Sequence, residues 1–296
     1  MKKEPIRHHY VPQFILRNFC DNQGLLHYYE KNTGILMYKQ PRDVFMEKNL
    51  YRDELNHPKN PTKIEADLAR YEGEIAKIID NKFGASDRIV LTVEEESKLK
   101  LFFAIMGFRS ANTKDLFGDN LLDESKLYYS KYQKDGNFAD FWKRNLGHLV
   151  NCRSIEDVCN HSEIDMPIKI FMLRDTQGYM GKYFAVLEAH EKNDFVIGDT
   201  YPACVFGEIS KDIKIISYCI CPISPKRCIL LVNQGADGTP PGVLGYRPCL
   251  IYRPARHDNG RTVEIKVKRA YPEEVENINR DIIGAAQNGY VKGIVK

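Results

Sequence analysis

The spacing of apolar residues changes partway along the chain, and that change limits it to folds in which helices and strands occupy separate stretches. From Thr62 onward, Ile64, Leu68, Tyr71, Ile75, Ile78 and Ile79 keep the three-and-four spacing of one helix face. Thr62 with Glu65 three residues on has the pattern of a capping box. A second helix is expected from Thr92. Glu94, Glu95 and Glu96 suit its positive N-terminus, and Leu99, Leu101, Phe102, Phe103, Ile105, Met106 and Phe108 make it apolar nearly all round, so it should be buried with Arg109 at its exit. The stretch 115–149 is also helical in pattern.

Beyond residue 160 the chain becomes β-prone. The runs 168–173, 183–187, 195–197, 213–221, 228–232 and 263–267 are short and are separated by Gly, Pro, Asn and Asp. Near the start, Leu25–Glu30 and Ile35–Tyr38 flank Lys31-Asn32-Thr33-Gly34 as a hairpin, Val44–Tyr51 reads as a further extended piece, and Asn56–Pro61 is a loop. Pro272 opens a closing helix that runs to Asn288. The expected class is α+β: a mixed or antiparallel sheet built from the N-terminal hairpin and the C-terminal half, covered by the helices of residues 62–150 and a C-terminal helix. We expect one domain over 1–296, with a helical subdomain over 62–160 as the alternative division.

Composition narrows the function classes only a little. A net charge of +3, from 43 basic and 40 acidic side chains, is too small to argue nucleic-acid binding from bulk charge. No run of 18 apolar residues exists, and the first residues lead into a polar segment, so no membrane partner and a cytoplasmic location are expected. Cys219 and Cys221 alternate in an apolar run as buried thiols, and Cys152, Cys159 and His161 match no common zinc spacing.

The stretch that looks built for chemistry is Arg7-His8-His9-Tyr10-Val11-Pro12-Gln13-Phe14-Ile15-Leu16-Arg17-Asn18-Phe19. Pro12 holds Val11 extended, so His8 to Val11 should be a strand whose two imidazoles face opposite ways. In a helix beginning at Pro12, Gln13 and Arg17 share one face, while Ile15 and Phe19 share a buried one. An Arg on so apolar an element should need a partner. One His, Gln13 and Arg17 are thus expected to converge on an anion, either carboxylate or phosphate.

Further along, Glu65 and Glu72 are seven apart and nearly on one helix face, where two carboxylates can hold a divalent cation or act as acid and base. Arg109 is either a structural charge or a substrate clamp. Asp199, at the end of the apolar strand Phe195-Val196-Ile197-Gly198, is either a functional carboxylate or an Asx turn. Lys and Tyr interleave over 126–134 in a pattern that can stack on and neutralise nucleic acid, and that an amphipathic helix explains as well.

The opening His8-His9-Tyr10-Val11-Pro12-Gln13-Phe14, with Leu16-Arg17-Asn18-Phe19, resembles the signature of a family numbered 4238 among the domains of unknown function. The helix ending at Arg109, the run Asp199-Thr200-Tyr201-Pro202, the step Pro222-Ile223-Ser224-Pro225 and Asn279 in the last helix are similar to later landmarks of that family. The chain departs from it at Gly198, where a Ser is usual, and at Ser110, where a Thr followed by Pro is usual. The resemblance implies an architecture and a set of residues, but no reaction.

The opening motif also resembles the first strand of ββα-metal HNH nucleases, which would make His9 a base with Asn49 or His57 as partners. Taken together, the residues lead us to expect a phosphodiesterase or nuclease of toxin or phage-defence type, acting on RNA or DNA with Mg²⁺ or Mn²⁺. Its catalytic residues would be His8, His9, Glu65, Glu72 and Asp199, with Gln13, Arg17, Asn18 and Arg109 binding substrate. The alternative is a non-catalytic nucleotide-, nucleic-acid- or protein-binding module in which the same charges form structural salt bridges.

Overall fold

The computed structural model describes residues 6–84, 86–110, 138–166, 168, 169, 172, 182–190, 192–210, 213–233 and 254–293. Three sheets carry the strands. β1 (Arg7–His9) pairs antiparallel with β4 (Met46–Lys48) as a two-stranded ribbon. A four-stranded sheet in the order β3-β2-β13-β7 joins the hairpin of β2 (Leu26–Glu30) and β3 (Leu36–Lys39) to β13 (Gly289–Lys292) and β7 (Val196–Gly198). The largest sheet runs β11-β12-β6-β10-β9-β8, built from β11 (Ala255–His257), β12 (Thr262–Ala270), β6 (Lys182–Ala189), β10 (Arg227–Asn233), β9 (Ile213–Pro222) and β8 (Ala203–Ser210). Here β12 is shared along its length. Its first half pairs antiparallel with β5 (Arg88–Thr92) and its last four residues pair parallel with β6. The fold is α+β, as expected.

Six helices are numbered among the described residues: α1 (Gln13–Arg17), α2 (Lys63–Lys82), α3 (Val93–Phe108), α4 (Phe138–Leu149), α5 (Ile155–Asn160) and α6 (Pro272–Ala285). The sequence explains α3 closely. Thr92 accepts the Glu95 N–H while the Glu95 carboxylate accepts the Thr92 N–H, and Leu99 through Met106 are all buried. One continuous core joins Leu68, Phe102, Trp142 and Ile155 from the helices to Phe184, Ile229 and Val263 from the large sheet. A second core lies between the other face of that sheet and Val275, Ile278 and Ile282 of α6. None of the described helices is long and apolar enough to cross a membrane.

The structure corrects four local expectations. Thr62 makes no cap bond to α2; its hydroxyl turns to Asn60, which leaves Glu65 free to face elsewhere. The described residues of the run 168–173 are not in a strand: Ile168, Lys169 and Met172 are helical, because the Asp165 carbonyl accepts both the Ile168 and Lys169 N–H groups and buries Ile168 and Met172, four apart, on one face. Val44–Tyr51 is strand only over Met46–Lys48, since Phe45 and Asn49 on either side take positive φ. The closing helix stops at Ala285 rather than Asn288. Of the stretch 115–149 only α4 is described; the Lys and Tyr residues of 126–134, and Cys249, lie outside the described residues.

Candidate functional site

In the β1–β4 ribbon, alternation separates the two imidazoles as the sequence requires. His8 points into the core, where its Nδ1 accepts the Tyr51 N–H at 2.8 Å and its ring stacks on Tyr51 with centroids 5.5 Å apart. That bond needs the Nδ1 lone pair, so His8 serves as a structural acceptor. His9 faces the other way. Pro12, extended at ψ 132, then turns the chain into α1, which lays Gln13, Phe14 and Arg17 along one side of a cleft. α2 supplies the other side, with Glu65, Leu68, Ala69, Glu72, Gly73 and Ala76. The cleft holds about 340 Å³, and His9 lies against it with 7% of its surface exposed.

Arg109 anchors this arrangement from beneath. At the end of the buried α3 it is fully enclosed; its Nε donates to the Tyr10 carbonyl at 3.2 Å and its Nη1 to Glu72 at 2.5 Å, while its guanidinium carbon lies 5.9 Å from the Tyr51 ring centroid. The Tyr51 hydroxyl donates to the His9 carbonyl at 3.2 Å, tying the ribbon to the same core. Burial is the largest influence and works against the charge of Arg109, but Glu72, Tyr51 and Glu65 together outweigh it and raise its pKa.

The two acid–base groups are shifted in opposite senses. Burial, helped by the charge of Arg109 and of Arg7 and opposed by the carbonyls of Arg42 and Pro41, lowers the His9 imidazole to about 4. Burial also lifts the Glu65 carboxyl to about 7; Arg109 pulls it down and Glu72 pushes it up. Near neutral pH the imidazole is therefore uncharged and much of Glu65 keeps its proton. Gln13 Nε2 lies 3.1 Å from His9 Nδ1, so this amide selects the tautomer. Two buried nitrogens at the site, His9 Nε2 and Arg109 Nη2, have no hydrogen-bond partner among the described residues, an unusual condition for buried polar atoms.

The structure thus brings together His9, Gln13, Arg17, Glu65 and Glu72, with Arg109 behind them. Arg17 differs from expectation: it is exposed and makes no ion pair among the described residues, because α1 buries its other face and leaves the guanidinium at the rim. His8, Asn18 and Asp199 are elsewhere. The Asn18 amide donates to the Ile223 carbonyl at 2.9 Å. Asp199 is a backbone cap, its two oxygens accepting the N–H groups of Gln287 and Asn288 at 2.7 and 2.6 Å and so ending α6. Beside it, a Cβ on Gly198 would meet that of Ala286 at 3.2 Å, so glycine lets β7 seat on α6.

The HNH-like pairing does not form: β1 is followed by α1, Asn49 is a turn residue, and His57 lies by Gly147 of α4. Cys219 and Cys221 are buried, and burial pushes the Cys152 thiol up to about 12. Sequence reasoning missed Tyr51 as the residue joining His8, His9 and Arg109, since a tyrosine beyond a turn carries no motif.

A divalent cation finds a poor donor set here. Glu72 is committed to Arg109, whose guanidinium would repel a second cation, and among the described residues no three His, Cys, Asp or Glu side chains are grouped as ligands. No curated protein and no solved structure matches the chain. One family model does, over residues 7–291, and its description is a protein of unknown function (DUF4238). The cleft between α1 and α2 therefore lies within the matched region, and the chain belongs to that family.

Proposed function

We propose that the cleft hydrolyses a phosphodiester bond in a nucleic acid by acid–base chemistry, without assigning a step to a metal ion. The observation that carries this reading is the pair of titratable groups at one cleft, His9 and Glu65, whose surroundings move their protonation in opposite directions. As placed, Gln13 Nε2 faces His9 Nδ1; with the amide flipped so that its oxygen accepts from Nδ1–H, the Nε2 lone pair of His9 takes a proton from water as the water oxygen bonds to phosphorus. The ester P–O bond breaks, and its leaving oxygen takes the proton of Glu65. Proton exchange with solvent then restores both groups. Arg17 and Arg109 offset the charge that builds on the phosphoryl oxygens. Among the described residues no Ser, Thr, Cys or Lys lines the cleft, which favours direct attack by water over a covalent intermediate.

The test is hydrolysis of a small chromogenic phosphodiester, single-stranded RNA and single-stranded DNA across pH, with chelator, Mg²⁺ and Mn²⁺ arms. The expected profile is a bell with limbs near pH 4 and 7, unaffected by chelator. His9→Ala and Glu65→Gln should each lower kcat by about 10²–10⁴ in folded protein. A second reading, a binder without catalysis, is favoured by the structural bonds of His8, Asn18, Asp199 and Arg109; absence of cleavage in every arm would establish it over the first.

A further inference from the structure

Exposed cationic side chains stand on the elements that flank the cleft. Arg7 and Lys48 are directly opposed partners in the β1–β4 ribbon, and His9 lies two residues from Arg7 on the same face. Like charges facing each other across a strand pair are destabilising, and Asp43 pairs with Arg7. Arg7 keeps half of its side chain in solvent. The 3-10 turn Pro41–Asp43 packs against α1 and brings the Arg42 carbonyl toward His9; the Arg42 side chain is exposed, as are Lys48 and Arg17, and none of these three makes an ion pair among the described residues. Four exposed cations from four elements thus flank the cleft, whose own lining adds Glu65 and Glu72.

We propose that Arg7, Lys48 and Arg42 form a track for the phosphates flanking the one held at His9, so that the ligand is a single-stranded nucleic acid rather than a mononucleotide. This rests on the reading of the cleft given above and names residues outside it. Arg7 stands about 7 Å from His9 along the strand, on the scale of one nucleotide of an extended chain. A single strand fits better than a duplex, because His9 is nearly buried and a phosphate reaches it only by entering a narrow cleft between two helices. The ribbon, two strands wide, offers a single row of charge rather than a broad basic face.

The experiment measures binding, in a His9→Ala background, of a fluorescent single strand of about twelve nucleotides while salt is raised from about 50 to 300 mM. Arg7→Gln, Lys48→Gln and Arg42→Gln are each expected to reduce the slope of log K against log salt by about 0.7 and to weaken binding about fivefold at 0.1 M salt. Lys266→Gln, an exposed neutralisation on β12, is the control and should leave the slope unchanged. Slopes identical to the control in all three variants would overturn the proposal. So would a mononucleotide binding as tightly as the oligomer, or polyglutamate matching it. Track-dependent binding by a protein that cleaves nothing would support the track and reject the hydrolase; cleavage of a small diester by a protein whose oligonucleotide binding ignores the track would do the reverse.

Discussion

Replacing Glu72 by Gln tests whether the Arg109 charge organises the cleft, because Glu72 is its only ion-pair partner among the described residues. The guanidinium is fully enclosed and, among those residues, its remaining bond goes to a carbonyl and Nη2 is already without a partner. Removing one member of a buried pair usually costs about 3–5 kcal/mol, since the other charge is left desolvated. Glu72 keeps 20% of its side chain exposed, which argues for the lower end, about 3 kcal/mol.

The structure adds a pH dependence to that figure. Glu65 titrates near 7 and senses both Arg109 and Glu72. At about pH 5 it is protonated and gives Arg109 no help; at about pH 8.5 it is ionised and, freed from the repulsion of Glu72, substitutes for it. Urea unfolding should therefore show a loss of about 3 kcal/mol at the lower pH and less than half of that at the higher one. The double variant Glu65→Gln/Glu72→Gln should lose the full amount at both. A single-variant loss that is the same at the two pH values, or that stays under about 1 kcal/mol at pH 5, would refute the argument.

Three further outcomes follow from the same geometry. His9, with its folded pKa depressed, contributes stability that is present above 6.5 and lost as pH falls through about 4, whereas Glu65, with its pKa raised, contributes stability that is present below 4.5 and lost as pH rises through about 7. Each effect is at most about 3 kcal/mol and they oppose one another between those limits, so Glu65→Gln should exceed the parent in stability above pH 7 and His9→Gln should do so below pH 4; denaturation curves that keep the same pH dependence in both variants would contradict this. Asp199→Ala removes the acceptor of two backbone N–H bonds and should cost about 3 kcal/mol or more, read as a fall in Tm, while activity per folded molecule is retained. Thr92→Ala should lose about 1 kcal/mol with its capping box, and Thr62→Ala, which gives up no cap bond, should lose almost nothing.

Local chemistry alone determined much of this chain. The proline after Val11, the alternation of His8 and His9, the four-residue spacing of Gln13 and Arg17 and the seven-residue spacing of Glu65 and Glu72 all place side chains by backbone geometry, and the structure keeps each relation. The apolar periodicity of α2 and α3 works the same way, since burying such a face is independent of which partner covers it.

What only the tertiary structure decided is which charges meet. Arg109 and Glu72, 37 residues apart, pair because α3 crosses behind α2, whereas Asp199 turns to the end of α6 and His8 to Tyr51. Identical capping patterns at Thr62 and Thr92 diverge for a similar reason: Glu95 stays at its helix start, and Glu65 is drawn to a cleft that no local rule describes. Long-range packing sets the burial and neighbouring charge that shift His9 and Glu65 apart, and those fields have no counterpart in the order of the residues.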